Sequence, residues 1–249
     1  MTHALLVSNR APAPVRQALA EPAARGTAPF AELLETARRE SGFKTDAKNP
    51  NSTATGLFQF TEQTWLDLVR RHGARYGLRD AAAKIARDPA TGRNEVPSTE
   101  DRSAILALRK DAKLAAAMAG ELSKTNRASL QRALGREPTY QEVYAAHFLG
   151  ATGAARLIRA AEENPDQPAN RLLPQAARAN KAVFRDAELR RYRTAGELAG
   201  HLEVAHAAPA DPRGAISGAA FVEGISTTRR ASGGVLSAQI AAQLAANES

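Results

Sequence analysis

The sequence has no cysteine, which excludes a disulfide framework and any thiolate metal site. Aromatic content is only 5%, and large apolar residues are sparse because 55 alanines fill about half of the 43% hydrophobic fraction. Val, Ile, Thr, Tyr and Phe are too few for an all-β protein. No apolar run nears the roughly 18 residues of a membrane span. No secretory leader is visible either. The patch Ala4-Leu5-Leu6-Val7 gives way at once to Ser8-Asn9-Arg10, well short of the apolar stretch of about 7–15 residues that an export signal needs. None of the histidines (His3, His72, His147, His201, His206) forms a His-Glu-x-x-His pair, so no metal and no cofactor is indicated. What is present is positive charge: 34 Lys and Arg against 26 Asp and Glu, a net +8. That excess attracts a polyanion without choosing between nucleic acid, anionic lipid and cell-wall polymer.

Hydrophobic periodicity predicts an all-α protein. Phe30, Leu33, Leu34 and Ala37 follow the i, i+3, i+4, i+7 rule. Their helix opens at Thr27-Ala28-Pro29, with Thr as its cap, and carries Glu40 at its end, before Ser41-Gly42. A polar loop covers 44–56, followed by the apolar burst Leu57-Phe58-Gln59-Phe60 and a helix from Thr61 to about Arg71 that ends at Gly73. A weaker helix is expected over 79–87. The longest runs over about 99–124, with Ile105, Leu108, Ala112, Ala115, Ala119 and Leu122 in one stripe. Capping boxes at Thr139/Glu142 and Thr194/Glu197 open two more helices, the first reaching Gly150. Further helices are expected over 151–163 and 174–184. An Ala-rich amphipathic stretch over 235–246 completes the set, and no convincing β pattern is visible. The expected organisation is a flexible arm over 1–26, a compact helical domain over 27–190, and a short helix with a mostly disordered Ala/Gly-rich tail over 191–249.

Glu40 is the residue on which chemistry would turn. If Leu57-Phe58-Gln59-Phe60 folds over the helix end, the carboxyl is partly desolvated, which favours its protonated form, as a general acid on a glycosidic oxygen requires. Periodicity alone favours a solvated Glu at a helix end, and the aromatics alone favour core packing. Asp46 reads as a loop residue bonding nearby amides, with a water-positioning role as its alternative. Glu142 reads as a capping residue, and His72, in Arg70-Arg71-His72, as solvated.

The stretch Glu40-Ser41-Gly42-Phe43, Asp46-Ala47, Asn49-Pro50, Ser52, Ala54-Thr55-Gly56-Leu57-Phe58-Gln59-Phe60, Thr61 and Thr64 resembles the first motif of the lytic transglycosylases, the SLT-type, goose-lysozyme-like family. Ala146-His147-Phe148-Leu149-Gly150 is similar to its second motif, Ala-Tyr-Asn-x-Gly, in the form carried by a bacterial subgroup. The resemblance covers about 27–185 and implies a lysozyme-like helical fold. It departs from the family pattern in a loop about one residue longer, in Thr61-Glu62 where a proline is usual, and in His147-Phe148 for Tyr-Asn.

By position, the resemblance makes Glu40 the catalytic acid/base, and Ser41, Gly56, Phe58, Gln59, Tyr144 and His147 the substrate-binding residues. It implies cleavage of the MurNAc–GlcNAc bond of peptidoglycan with a 1,6-anhydro product, in place of the two-carboxylate scheme of most glycosidases. The alternatives are a hydrolytic muramidase and a non-catalytic peptidoglycan-binding or assembly domain. The partner implied is the glycan strand, with flagellar or secretion-apparatus proteins as further partners. Nucleic acid is disfavoured because the basic residues are dispersed among acids and no recognition motif is present. The place of action implied is periplasmic or secreted, although no leader is visible.

Overall fold

The computed structural model describes residues 10–50 and 52–207. The expected helix at 235–246 and the expected disordered tail beyond 207 lie outside the described residues. The architecture is helical, in line with the all-α expectation. Residues 13–24 depart from the flexible-arm expectation: Ala13–Ala24 is a helix, α1. Pro12 and Pro14 fall at its first turn, where a missing N–H costs nothing. Val15, Ala18, Leu19 and Pro22 then form a buried stripe at helical spacing.

α2 spans Phe30–Ser41 and ends on Gly42 in the left-handed conformation. Its N-cap is Pro29; Thr27, expected to cap it, instead donates its hydroxyl to the Pro22 carbonyl at 2.9 Å. α3 (Glu62–His72) is capped by Thr61. α4 (Arg79–Ala83) is shorter than expected, because the chain turns into β1 (Ala86–Arg87), paired antiparallel with β2 (Asn94–Glu95). Buried Gln63 holds that hairpin by exchanging hydrogen bonds with the Asn94 backbone at 2.9 and 3.0 Å. A second two-residue pairing joins β3 (Arg185–Asp186) to β4 (Arg191–Tyr192). Such short strands, fixed by tertiary contacts, leave no period in the sequence.

The long helix expected at 99–124 is two: α5 (Thr99–Ala107) and α6 (Ala112–Leu134). The break is at Asp111, whose carboxylate accepts from Leu114 N at 2.9 Å and caps α6. α7 (Tyr140–Glu163) opens with the expected capping box at Thr139 and Glu142. It is interrupted at Gly150, with φ 68° and ψ 156°. Short helices α8 (Ala169–Leu172), α9 (Pro174–Ala179) and α10 (Lys181–Phe184) lead to α11 (Ala195–Ala207).

Two apolar clusters form the core. The first joins α1, α2, the 57–60 segment, α3 and the start of α6. The second joins the end of α6, α7 and α8–α11. The packed body therefore takes in α1 and α11 and extends past both edges of the expected 27–190 domain. No helix among the described residues is long and apolar enough to cross a membrane.

Candidate active site

Glu32, Thr36 and Glu40 lie at i, i+4 and i+8 on α2, on one side of the helix. The first two wall an open cleft with Leu33, and Glu40 is outside the wall, next to the lining residue His147. α6 supplies the opposite wall with Ala119, Leu122, Ser123 and Asn126; α7 supplies Tyr140, Val143, Tyr144 and His147, and Phe58 completes the set.

The loop that carries Phe58 is fastened from inside. The Ser41 hydroxyl donates to the carbonyl of Leu57 at 2.9 Å. The Gln59 amide donates to Ala47 O at 3.1 Å and to Gly56 O at 2.9 Å. Gly56 has φ 87°, and a Cβ there would stand 2.1 Å from the carbonyl oxygen of Arg109. Only glycine fits both the angle and the approach. The Arg109 guanidinium donates to Thr53 O at 2.6 Å, Phe60 O at 3.0 Å and Leu106 O at 3.0 Å. Of the residues the resemblance picked out for substrate, Phe58, Tyr144 and His147 reach the cleft. Ser41, Gly56 and Gln59 are engaged within the loop and form none of its walls. Asp46 is exposed.

Glu40 itself is buried. Its side chain is 1% exposed, and neither carboxylate oxygen has a hydrogen-bond partner among the described residues. Nε2 of His147 faces Oε1 at 3.5 Å, the outer edge of hydrogen-bond distance. The His147 ring stacks on Tyr144 (centroids 6.2 Å apart, planes at 20°), and Arg39 lies over the same Tyr144 ring at 5.0 Å. Burial, with the Glu40 charge adding to it, pushes the Tyr144 hydroxyl far above its usual range. A buried carboxylate without donors is costly, so Glu40 sits where a hydroxyl or glycosidic oxygen would be a favourable partner.

Glu32, Tyr140 and Asn126 also line the cleft, and sequence reasoning did not assign them to it. Burial raises the Glu32 carboxyl above its ordinary range even though Arg127 pairs with it at 2.6 Å. The Tyr140 hydroxyl donates to the Glu32 carbonyl at 3.1 Å. The i+4 spacing of Glu32, Thr36 and Glu40 is the signal that points to the first of these. His72, expected to be solvated, is also a correction: its side chain is 17% exposed and its Nδ1 lies 3.5 Å from Oε2 of Glu121, a buried carboxylate that Arg75 and Tyr76 also reach. Among the described residues no group of three His, Asp or Glu side chains is placed to hold a metal ion.

Residues 17–89 match the model of the transglycosylase SLT domain family. The matched segment runs from within α1 to just past β1. It includes Glu40, the loop and Phe58, whereas Tyr144 and His147 lie beyond it.

Proposed function

We propose that this chain, through its SLT-type segment, is a lytic transglycosylase that cuts peptidoglycan glycan strands with Glu40 as the one acid/base. The observation that carries the reading is a sealed, donor-free carboxyl at the end of α2, beside a cleft walled by aromatic and polar side chains. In the first step the protonated Glu40 gives its proton to the oxygen between MurNAc C1 and the next GlcNAc, and the C1–O bond breaks. In the second, the carboxylate takes the proton of the MurNAc C6 hydroxyl as that oxygen bonds to C1. The 1,6-anhydro ring closes, Glu40 is again protonated, and no water is consumed. Phe58, Tyr144 and His147 would wall the sugar groove, while Ser41, Gly56 and Gln59 fix the loop that presents Phe58.

A hydrolytic muramidase needs a second group to aim a water. Asp46 is the sequence candidate, and its exposure places it in solvent, which favours the anhydro route. The net positive charge suits a substrate bearing lactyl and peptide carboxylates. Such a substrate lies outside the cytoplasmic membrane, and export through a flagellar or other specialised secretion apparatus would bring the enzyme to it. Mass spectrometry of digested sacculi tests the reading. Glycan ends are expected to be 1,6-anhydro with the wild type and absent with Glu40→Gln. Reducing ends would make the protein a hydrolase, and undiminished clearing by Glu40→Gln would remove Glu40 from the mechanism.

A further inference from the structure

We infer that His147 is a positioning residue of a particular kind, a side-chain gate that closes the path from the cleft to Glu40. The inference rests on the reading of Glu40 as the acid/base. A general acid must come within about 2.6–3.2 Å of the oxygen it protonates. Here both Glu40 oxygens are shut off from solvent, and the carboxyl is absent from the cleft wall. His147 belongs to both places: its ring walls the cleft, and its Nε2 faces Glu40.

The moving part is the imidazole and not its helix. Ala146, Phe148 and Leu149 are buried to 2% exposure or less, so the backbone on either side of His147 is anchored. The His147 side chain itself is 15% exposed, on the side where the cleft opens. Rotamer changes of partly exposed side chains are fast compared with turnover. Swinging out breaks no hydrogen bond at Nε2, which has no partner among the described residues; the contacts given up are the stack on Tyr144 and the 3.5 Å approach to Glu40. Entry of a sugar oxygen then supplies Glu40 with the partner it lacks. The helix break at Gly150, in a backbone conformation essentially reserved for glycine, ends the segment that bears the gate three residues later.

The test labels the full-length protein with a water-soluble carbodiimide and glycine methyl ester and follows each carboxyl by peptide mass spectrometry, a readout that needs no turnover. Glu40 in the wild type is expected to react at least about 10-fold more slowly than exposed Glu163, as a mostly closed population dictates. His147→Ala, and His147→Asn with its shorter polar side chain, are each expected to speed Glu40 labelling by about 10-fold while Glu163 is unchanged. Wild-type Glu40 reacting as fast as Glu163, or variants that melt like the wild type yet leave Glu40 protected, would overturn the gate. Loss of the function reading would show separately, as an absence of anhydro ends from the wild type.

Discussion

Among the described residues, two buried glutamates each face a histidine, and the two pairs are built to opposite ends. Glu40 and His147 stand 3.5 Å apart, as do Glu121 and His72. Both glutamates are buried. Glu121, however, accepts the Tyr76 hydroxyl at 2.9 Å and faces Arg75 at 3.5 Å. Burial and that hydrogen bond push the Tyr76 hydroxyl up to about 12. Glu40 has no donor of its own, and its histidine opens onto a cleft. Burial alone does not tell the two carboxyls apart; unmet hydrogen-bonding demand beside a cleft does. Glu121 ties three elements together, while Glu40 is held in reserve by its surroundings.

Substitutions at the two pairs should separate these roles. The largest effect is expected from Glu40→Gln, a loss of roughly 10³-fold or more in release of soluble muropeptides, consistent with removal of the general acid. Its melting temperature should stay near that of the wild type, because the amide has the same shape as the carboxyl it replaces. Gly56→Ala attacks the support of the same site. Its Cβ would overlap the Arg109 carbonyl and its φ is unfavourable, so a loss of about 3 kcal/mol is expected in urea unfolding. Glu121→Ala should cost about 2 kcal/mol by the same measurement, through stranded partners. Activity per folded molecule should stay near wild type, and a matching loss of activity would collapse the contrast between the pairs.

The smallest effect is a pH dependence. Burial, offset in part by Glu121, lowers the His72 pKa below its ordinary 6.5. The unfolded chain therefore binds a proton there more readily than the folded one. Stability from this group is complete above about pH 6.5 and falls as pH drops through the window between the unfolded and the lowered folded value. The urea midpoint of the wild type should fall from pH 7.5 to pH 5.5 by more than that of His72→Gln.

Local rules carried much of the fold into the sequence. The stripe of Phe30, Leu33, Leu34 and Ala37, the capping boxes at Thr139 and Thr194, and the Gly42 and Gly150 breaks all act within a few residues of themselves. Where the outcome depended on distant contacts, the sequence was mute or misleading. The prolines of 12–22 read as an extended or weakly helical arm, yet Pro12 and Pro14 sit at a first turn, Pro22 is carried inside the helix near its end, and Val15, Ala18 and Leu19 find a core. Asp111, inside an otherwise continuous alanine stripe, gave no sign that it would cap a new helix. The hydroxyl of Ser41 and the amide of Gln59 were legible as side chains near Glu40, but which way they bond is decided by Leu57, Ala47 and Gly56 once the loop has closed.

The clasp formed by Arg109 bears on how the protein can be dissected. Its guanidinium grips the carbonyls of Thr53 and Phe60, and its own carbonyl is the surface against which Gly56 rests. A fragment stopping before residue 109 would retain the complete glutamate motif and lose the strut that shapes it. One stopping before residue 147 would leave Glu40 without its cover. The smallest excised piece that preserves the environment of Glu40 therefore runs past both, and shorter ones should be judged as peptides rather than as miniature enzymes.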